Sequence, residues 1–377
     1  MPLNTKIQMV DLQGQYLAIK NEIDLAIQDV LSSTAFIKGP QVAAFERELS
    51  LFHEGGHAVT CANGTDALQL AMMALGFKPG DEVMVPVFTY VATAEVIALL
   101  GLKPVFVDVD SHTFNINVGE LEQRVTPRTV GIVPVHLYGQ CADMEPILKL
   151  ANKHGLKVIE DYAQAFGAEY RFSDGTVRKA GTMGDIGCTS FFPSKNLGCY
   201  GDGGALVTKD HNLAEKARMI ANHGQRVKYY HDVIGVNSRL DSIQAAILSV
   251  KLKRIHEYEK KRKEVAAFYD HELKDTKQII TPSRAANSSH VFHQYTVKLE
   301  GWDRDSLKDY LSSVDIPSMV YYPLPLHLQK AFAVPGISEG DFPVSEALCK
   351  RVISLPIHTE MDSEQLSYIC GKIKSFQ

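Results

Sequence analysis

The chain has 377 residues, 45% of them hydrophobic, and this length exceeds one ordinary hydrophobic core, so we expect two domains. The formal net charge is −5, with acids and bases mixed along the chain, which argues against a nucleic-acid partner. No apolar run approaches the roughly 20 residues that span a bilayer, and the first residues lack the pattern of a signal peptide. We therefore expect a cytoplasmic protein without a membrane partner.

Apolar residues between Tyr16 and Val30 recur at three- and four-residue intervals, a pattern typical of an amphipathic helix. The Gly-Pro pair in SSTAFIKGPQV interrupts it, and a second helix is predicted to begin near Val42. From Ala58 to about Val207 apolar strands alternate with helical patterns, and the strands read AVTCA, EVMVPV, PVFVDVD, GIVPVHL, KVIED, CTSFF and ALVT. This alternation predicts an α/β fold with a mainly parallel sheet covered by helices.

The first strand of this series leads into a turn that can bind an anion. In HAVTCANGTDALQLAMMALG a strand, a tight turn and an amphipathic helix follow one another, with Gly64 and Thr65 where the helix opens. Backbone N–H groups at a helix start bind a phosphate without any cationic side chain. Many strand-to-helix connections use Asn-Gly, so the turn alone is weak support for such a site.

A carboxylate ends a later strand. In GLKVIEDYAQAFGA the apolar residues Leu156, Val158 and Ile159 predict a buried strand that ends at Glu160 and Asp161. Ligands of open α/β sheets bind outside the carboxyl ends of the strands, which places Asp161 at a ligand crevice. The alternative is that Asp161 caps the start of a helix.

A lysine ends the next apolar strand. In TSFFPSKNLGCYGDGGALV the strand stops at Lys195 and breaks into glycines. An ammonium beside apolar residues loses hydration and its pKa falls, so the amine can attack a carbonyl, although a surface lysine is the alternative. A phosphate at a helix start, an acid for a ring nitrogen and a lysine for an aldehyde together predict pyridoxal 5′-phosphate.

Cysteines and histidines do not suggest other chemistry. The six cysteines form no CxxC pair, so we expect reduced thiols that pack as small hydrophobic groups. Cys199 is the exception, because it lies in the glycine-rich turn that follows Lys195 and so is a candidate neighbour of the cofactor. His136, His223 and His327 lack the spacing of metal ligands, so no metal site is predicted.

The rest of the chain predicts a hairpin and a second domain. RFSDGTVRKAGTMGD is polar and turn-rich, which favours a surface hairpin before the lysine strand. The charged helical pattern from Asp241 to about Leu273 predicts one long linking helix, and helices at 305–314 and after Asp362 belong to a smaller α+β domain. We place an amino-terminal arm and large domain at 1–245 and a small domain at 246–377.

Six motifs resemble those of the DegT/StrS sugar aminotransferases, in the same order and over nearly the whole chain. They are ANGTDAL, VFTYVATAE, VIEDYAQAFGA, SFFPSKNLGCYGDGG, GVNSRLDSIQAA and YYPLPLH. The resemblance implies a fold-type-I transferase that uses pyridoxal 5′-phosphate, with Lys195 as the covalent attachment and acid–base group and Asp161 beside the ring nitrogen. It further implies that Phe88 stacks on the ring, that Gln164 lies near the 3-hydroxyl, and that Ser190 binds the phosphate. By the same resemblance Asn237 reaches the phosphate of a neighbouring subunit, so a homodimer with shared sites is expected.

The resemblance also implies a substrate. SFFPSKNLGCYGDGGA and LYGQCAD are similar to the subgroup that aminates C3 of a UDP-linked 3-keto-N-acetylhexosaminuronic acid for bacterial O-antigen lipopolysaccharide, with glutamate as amino donor. The implied sugar-nucleotide contacts are Thr34, Phe36, Ser194, Arg239, Tyr321 and Tyr322. Relatives often carry histidine where this chain has Tyr321, so the identity of the hexose is not fixed. Amination at C4 instead of C3 is the alternative.

Two alternative functions fit these residues less well. A sugar dehydratase of the same family resembles this chain with histidine at the place of the lysine, so Lys195 argues against it. A non-catalytic regulator that senses the cofactor or a sugar nucleotide has no need of the catalytic pair, which this chain keeps in Lys195 and Asp161.

Overall fold

The computed structural model describes residues 6–333 and 336–376. The helices are α1 Leu12–Ala18, α2 Lys20–Ser33, α3 Pro40–Phe52, α4 Gly64–Leu75, α5 Ala92–Leu99, α6 Val118–Arg124, α7 Met144–His154, α8 His211–Ile220, α9 Ser242–Leu252, α10 Ile255–Leu273, α11 Arg304–Ser313, α12 Pro343–Arg351 and α13 Ser363–Lys374. The strands are β1 His57–Cys61, β2 Glu82–Pro86, β3 Lys103–Val107, β4 Thr129–Ile132, β5 Lys157–Asp161, β6 Glu169–Arg171, β7 Val177–Lys179, β8 Ile186–Ser190, β9 Gly204–Thr208, β10 Gln225–Val227, β11 Tyr230–His231, β12 Ile279–Ile280, β13 Tyr295–Leu299 and β14 Val352–Leu355.

The centre of the molecule is a seven-stranded sheet in the order β1-β9-β8-β5-β4-β2-β3. Strands β3, β2, β4, β5 and β8 pair in parallel, and β9 runs antiparallel to both of its neighbours. Val158 and Ile159 are adjacent in β5 and both are buried, yet they pack in different core clusters. A parallel sheet that is covered on both faces needs such continuous apolar strands, so the predicted α/β architecture is confirmed.

A second, smaller sheet contains β12, β13 and β14 in antiparallel pairing. Its residues form a third core cluster with apolar side chains of α10, α11 and α13. The linking helix predicted from Asp241 to Leu273 is two helices, because α9 ends at Leu252 and α10 begins at Ile255. The predicted domain division after residue 245 falls inside α9, and Leu248 and Leu252 of this helix pack in a core cluster of the large sheet. The division itself stays a prediction.

The hairpin before β8 and the cysteines match their predictions. Strands β6 and β7 pair as an antiparallel hairpin in the segment that leads to β8. All six cysteines are free and buried, and the Cys199 thiol contacts the carbonyl oxygens of Phe191 and Gly201 rather than the site described below. Among residues 6–333 and 336–376, no helix combines the length and the apolar character needed to cross a membrane.

Candidate active site

A cavity of about 760 Å³ opens where several strands of the large sheet end. Its walls come from the segments that follow β1, β2, β4, β5 and β8, together with two later segments at 293–294 and 321–322. The carboxyl ends of these strands meet at one edge of the sheet, the place where open α/β folds bind ligands. We call this space the Lys195 cavity.

Lys195 lies in the wall of this cavity, on the loop after β8. Its backbone N–H donates to the carbonyl oxygen of Phe192 at 2.8 Å, which turns the chain at the end of the strand. Burial lowers the pKa of the Lys195 amine to about 8, and the negative charge of Asp161 opposes this shift only in part. An amine with this pKa is neutral in a substantial fraction of molecules near pH 8, so it can act as a nucleophile and as a proton carrier.

Asp161 is 8% exposed and lines the same cavity. One carboxylate oxygen accepts a hydrogen bond from the Thr93 hydroxyl at 2.8 Å, and the other accepts one from the backbone N–H of Ala163 at 3.2 Å. No helix begins in the described segment 162–168 that follows, so Asp161 does not cap a helix. These two hydrogen bonds instead hold the carboxylate in the cavity wall, where it can pair with a protonated group.

Glu160, the residue before Asp161, has a different environment. Its carboxylate accepts hydrogen bonds from the backbone N–H groups of Gly181, Met183 and Gly184 at 2.6 to 2.8 Å and contacts Nε2 of His136 at 2.9 Å. Side chains alternate across a strand, so Glu160 and Asp161 face opposite sides of β5. Glu160 therefore fastens the loop before β8 and leaves Asp161 as the acid of the cavity.

The turn between β1 and α4 forms another wall. The Asn63 side chain accepts a hydrogen bond from the backbone N–H of Asp66 at 2.8 Å and so caps α4. A Cβ atom at Gly64 would lie 2.6 Å from Cβ of Ser190, so only glycine lets the turn approach β8 this closely. Gly64, Thr65 and Ser190 all line the cavity, and the helix start adds a partial positive charge. This combination fits a phosphate group.

Gln164 is buried beside Asp161 and is fixed by two hydrogen bonds. Its side-chain oxygen accepts from the backbone N–H of Tyr138 at 2.9 Å, and its amide nitrogen donates to the Tyr322 hydroxyl at 3.0 Å. With the phosphate turn, Asp161 and Lys195, it lines a cavity whose groups fit pyridoxal phosphate.

Phe88 is not where the sequence places it. It is 1% exposed, does not line the Lys195 cavity, and packs with Phe114 at a ring distance of 6.2 Å. Tyr90 lines the cavity instead and is 58% exposed. Strand β2 ends at Pro86, so the alternation of side chains no longer holds in the following loop. The aromatic residue of this loop that lines the cavity is Tyr90.

The predicted substrate residues divide into two groups. Ser194, Tyr321 and Tyr322 line the Lys195 cavity. Two cavity residues, His293 and Gln294, were missed by the sequence analysis. The only local signal for them is a polar pair directly before the apolar strand YTVKL, which by itself does not indicate a site.

The other group lies outside the cavity, on a surface that we call the outer patch: residues 34–38 together with residues 237–239. It includes the predicted residues Thr34, Phe36, Asn237 and Arg239, and none of these four lines the Lys195 cavity. Shortly after the second segment, the backbone N–H of Ser242 donates to the carbonyl oxygen of Phe36 at 2.9 Å, which holds the two segments together.

The outer patch is positively charged. Lys38 and Arg239 line a cleft of about 190 Å³ together with Arg218. Burial and the charges of Arg239 and Arg218 lower the pKa of the Lys38 amine. Glu46 also lines the cleft and pairs with Arg218 at 2.8 Å, so the cleft keeps an excess of positive charge.

Known proteins resemble this chain over nearly its whole length. Residues 17–374 match the DegT/DnrJ/EryC1/StrS aminotransferase family. The chain is 47% identical to UDP-2-acetamido-2-deoxy-3-oxo-D-glucuronate aminotransferase of Pseudomonas aeruginosa over 97% of this chain and 99% of the relative. It is 46% identical to a protein of Geobacillus stearothermophilus named pleiotropic regulatory protein, over 98% of both chains. The solved structure of DesV from S. venezuelae superposes with a TM-score of 0.94 at 40% identity, covering 98% of each chain.

Proposed function

Since this chain belongs to the DegT/DnrJ/EryC1/StrS aminotransferase family, we propose that it transfers an amino group from glutamate to C3 of a UDP-linked 3-keto-N-acetylhexosaminuronic acid. The observation that carries this proposal is the meeting of Lys195 and Asp161 in one cavity with a phosphate-binding turn. The relative from Pseudomonas aeruginosa, 47% identical, supports the choice of sugar. We further propose a role in bacterial surface polysaccharide biosynthesis in the cytoplasm, for the O-antigen of lipopolysaccharide.

The cofactor is pyridoxal 5′-phosphate. When bound, it supplies an aldehyde for covalent attachment to an amine and a protonated ring that withdraws electrons from the reacting carbon. Gly64, Thr65 and Ser190 would hold the phosphate, and the Asp161 carboxylate would accept a hydrogen bond from the ring N–H. Lys195 would be the amine that holds the aldehyde, and it would carry the proton to and from the α-carbon of the amino donor.

We also propose a homodimer in which the outer patch of one subunit completes the cavity of its partner. One segment of the outer patch, 237–239, follows shortly after the hairpin β10–β11. The hairpin and the residues just after it carry large exposed apolar side chains. Val227, Tyr229, Tyr230 and Ile234 are 62%, 77%, 72% and 88% exposed. A cluster of this kind on a water-soluble surface marks a protein contact. Arg239 would then reach an anionic group of the sugar nucleotide, since a guanidinium pairs well with a diphosphate or carboxylate.

The reaction can be followed in two halves. Adding glutamate to the purified protein should convert the cofactor absorption to that of its aminated form, and adding the UDP-linked 3-keto sugar should reverse the change. Mass spectrometry and NMR of the product should show an amino group at C3. An amino group at C4 would replace the proposed sugar by the alternative, and no conversion by glutamate would contradict the proposed donor.

The regulator alternative is supported by the name of the relative from Geobacillus stearothermophilus. A sensor needs to bind its ligand without turning it over. The presence of both Lys195 and Asp161 in a cavity that fits the cofactor favours catalysis, and the half-reaction with glutamate separates the two functions.

A further inference from the structure

The phosphate turn, residues 62–66, is tied at both ends to one side chain from a distant segment. The Ser238 hydroxyl accepts a hydrogen bond from the backbone N–H of Ala62 at 3.1 Å and donates one to a carboxylate oxygen of Asp66 at 2.6 Å. The directions follow from the chemistry, since an N–H only donates and an ionised carboxylate only accepts. Ser238 therefore joins the start of the turn to the first residues of α4.

The Ser238 side chain points into its own chain. Exposure alternates along this segment, because Ser238 and Leu240 are 1% and 2% exposed whereas Asn237 is exposed. The backbone of Ser238 has a separate anchor, since its N–H donates to the carbonyl oxygen of Ala221 at 3.0 Å. Loss of the hydroxyl thus removes the link to the phosphate turn and leaves the segment itself in place.

Asp66 brings a negative charge to the turn that fits the cofactor phosphate. It lines the Lys195 cavity together with Gly64 and Thr65. Its own backbone N–H is taken by the Asn63 side chain at 2.8 Å, so this group is not available to the phosphate. A carboxylate stabilises the start of a helix, but it repels a phosphate dianion bound at the same place. The direction of the Asp66 carboxylate therefore matters for cofactor binding.

The bond to Ser238 sets that direction. Ser238 lines the cleft of the outer patch and does not line the Lys195 cavity. A carboxylate oxygen that accepts from Ser238 at 2.6 Å is therefore drawn toward the outer cleft and away from the cavity. A hydrogen bond from a neutral hydroxyl to a charged carboxylate is strong enough to hold this arrangement.

We propose that Ser238 is a positioning residue for the cofactor phosphate: its hydroxyl keeps the Asp66 carboxylate turned away from the phosphate and fixes the two ends of the turn. The inference rests on the proposed function for the place of the phosphate at this turn. It gives a role within one chain to a residue whose neighbours, Asn237 and Arg239, belong to the outer patch. Ser238 acts on the cofactor through the turn rather than by contact.

Ser345 provides a matched control elsewhere in the molecule. It is 0% exposed, and its hydroxyl donates to a carboxylate oxygen of Asp108 at 2.5 Å, the same chemistry as in the pair of Ser238 and Asp66. Neither Ser345 nor Asp108 lines the Lys195 cavity. Loss of the Ser345 hydroxyl therefore shows what such a bond contributes to the fold alone.

The test compares two ligands that differ only in the phosphate. Cofactor-free full-length protein is titrated with pyridoxal phosphate and with pyridoxal, and the absorption of the adduct gives both dissociation constants. Ser238→Ala should raise the dissociation constant for pyridoxal phosphate about tenfold, the effect of one hydrogen bond to a charged group, and that for pyridoxal less than about twofold. Ser345→Ala should lower Tm but leave the preference for pyridoxal phosphate over pyridoxal unchanged.

A second substitution isolates the charge of Asp66. In Ser238→Ala, adding Asp66→Asn should recover most of the lost affinity for pyridoxal phosphate, because no negative charge is left to face the phosphate. In the wild-type background Asp66→Asn should have a smaller effect, so the two changes should not be additive. An equal loss for both ligands, or a loss that Asp66→Asn does not relieve, would overturn the proposal, the latter because the serine would then act through Asn237 and Arg239.

A change in the turn itself tests the assignment on which the proposal rests. Thr65→Val removes a hydroxyl of the phosphate turn and should reduce the preference for pyridoxal phosphate whatever the state of Ser238. If Thr65→Val keeps the full preference, the turn is not the phosphate site, and the role of Ser238 falls with that assignment. If Thr65→Val reduces the preference and Ser238→Ala does not, only the role of Ser238 is wrong.

Discussion

The Lys195 cavity and the outer patch both contain charged side chains, but the surroundings of these side chains differ. In the cavity, Asp161 is 8% exposed and fixed by Thr93 at 2.8 Å, and Lys195 has a pKa that burial lowers to about 8. In the outer patch, Phe36 is 42% exposed, and Lys38 and Arg239 lie in a cleft with an excess of positive charge. The first region brings Lys195, Asp161 and the phosphate turn together within one chain. The second lies outside that cavity.

This difference suggests that the two regions have separate roles. Covalent chemistry requires groups with fixed positions and shifted pKa values, and the ends of buried strands provide both. Recognition of a large, charged sugar nucleotide needs wider contacts, which a second subunit can add. Accordingly, changes in the cavity should abolish chemistry within each chain, whereas changes in the outer patch should act across chains.

The largest effect is expected for Lys195→Ala, which removes the attachment point and the proton carrier. The variant should fold, lose all turnover, and yield no cofactor adduct after borohydride treatment. Lys251 is the control, since burial lowers its pKa to about 8 as well, but it donates to the carbonyl oxygen of Gly198 at 2.6 Å and does not line the cavity. Lys251→Met should keep the adduct at Lys195. A trapped adduct in Lys195→Ala would show that the cofactor attaches to a residue other than Lys195.

A smaller effect is expected for Asp161→Asn, which keeps the size of the side chain but removes its charge. Turnover should fall roughly 100-fold, since the loss of one charged group aligned with the reacting system has effects of this order. Thr93→Val removes only the hydrogen bond that positions the carboxylate, so about tenfold or less is expected. The rates come from single-turnover absorption with glutamate. Equal rates for Asp161→Asn and wild type would leave Asp161 with a structural role only.

The smallest effect concerns pH. The neutral amine attacks the cofactor aldehyde, so the rate of attachment to the cofactor-free protein should rise about tenfold per pH unit below pH 8 and level off above it. An unperturbed lysine would keep gaining up to pH 10.5. Because the Asp161 charge favours the ammonium, Asp161→Asn should move the midpoint to lower pH. A midpoint near pH 10 in stopped-flow absorption would contradict a buried Lys195.

The sequence alone predicts the cavity better than the patch, for physical reasons. Asp161 and Lys195 follow continuous apolar strands, and a parallel sheet brings all such strand ends to one edge. Phe88 was misplaced because the side-chain alternation of β2 does not extend beyond Pro86, and Tyr90 takes the exposed position.

Other cavity residues leave no local signal. His293 is 98 positions after Lys195, and only the packing of the small sheet places it in the same cavity. The break between α9 and α10 was hidden by a helical pattern that continues through Lys253 and Arg254. For Thr34, Phe36, Asn237 and Arg239, resemblance marked a functional role, but the single chain does not bring them to the cavity.

The most direct test of the two-region account is complementation between inactive subunits. One parent carries Lys195→Ala, and the other carries Asn237→Ala with Arg239→Ala. If the outer patch serves the partner's cavity, each mixed dimer contains one site with every lesion and one intact site. After subunit exchange at equal concentrations, activity should recover to about a quarter of wild type, because half of the dimers are mixed and each has one working site. If subunit exchange is demonstrated and activity stays at the level of the parents, the outer patch acts within its own chain and the account is wrong.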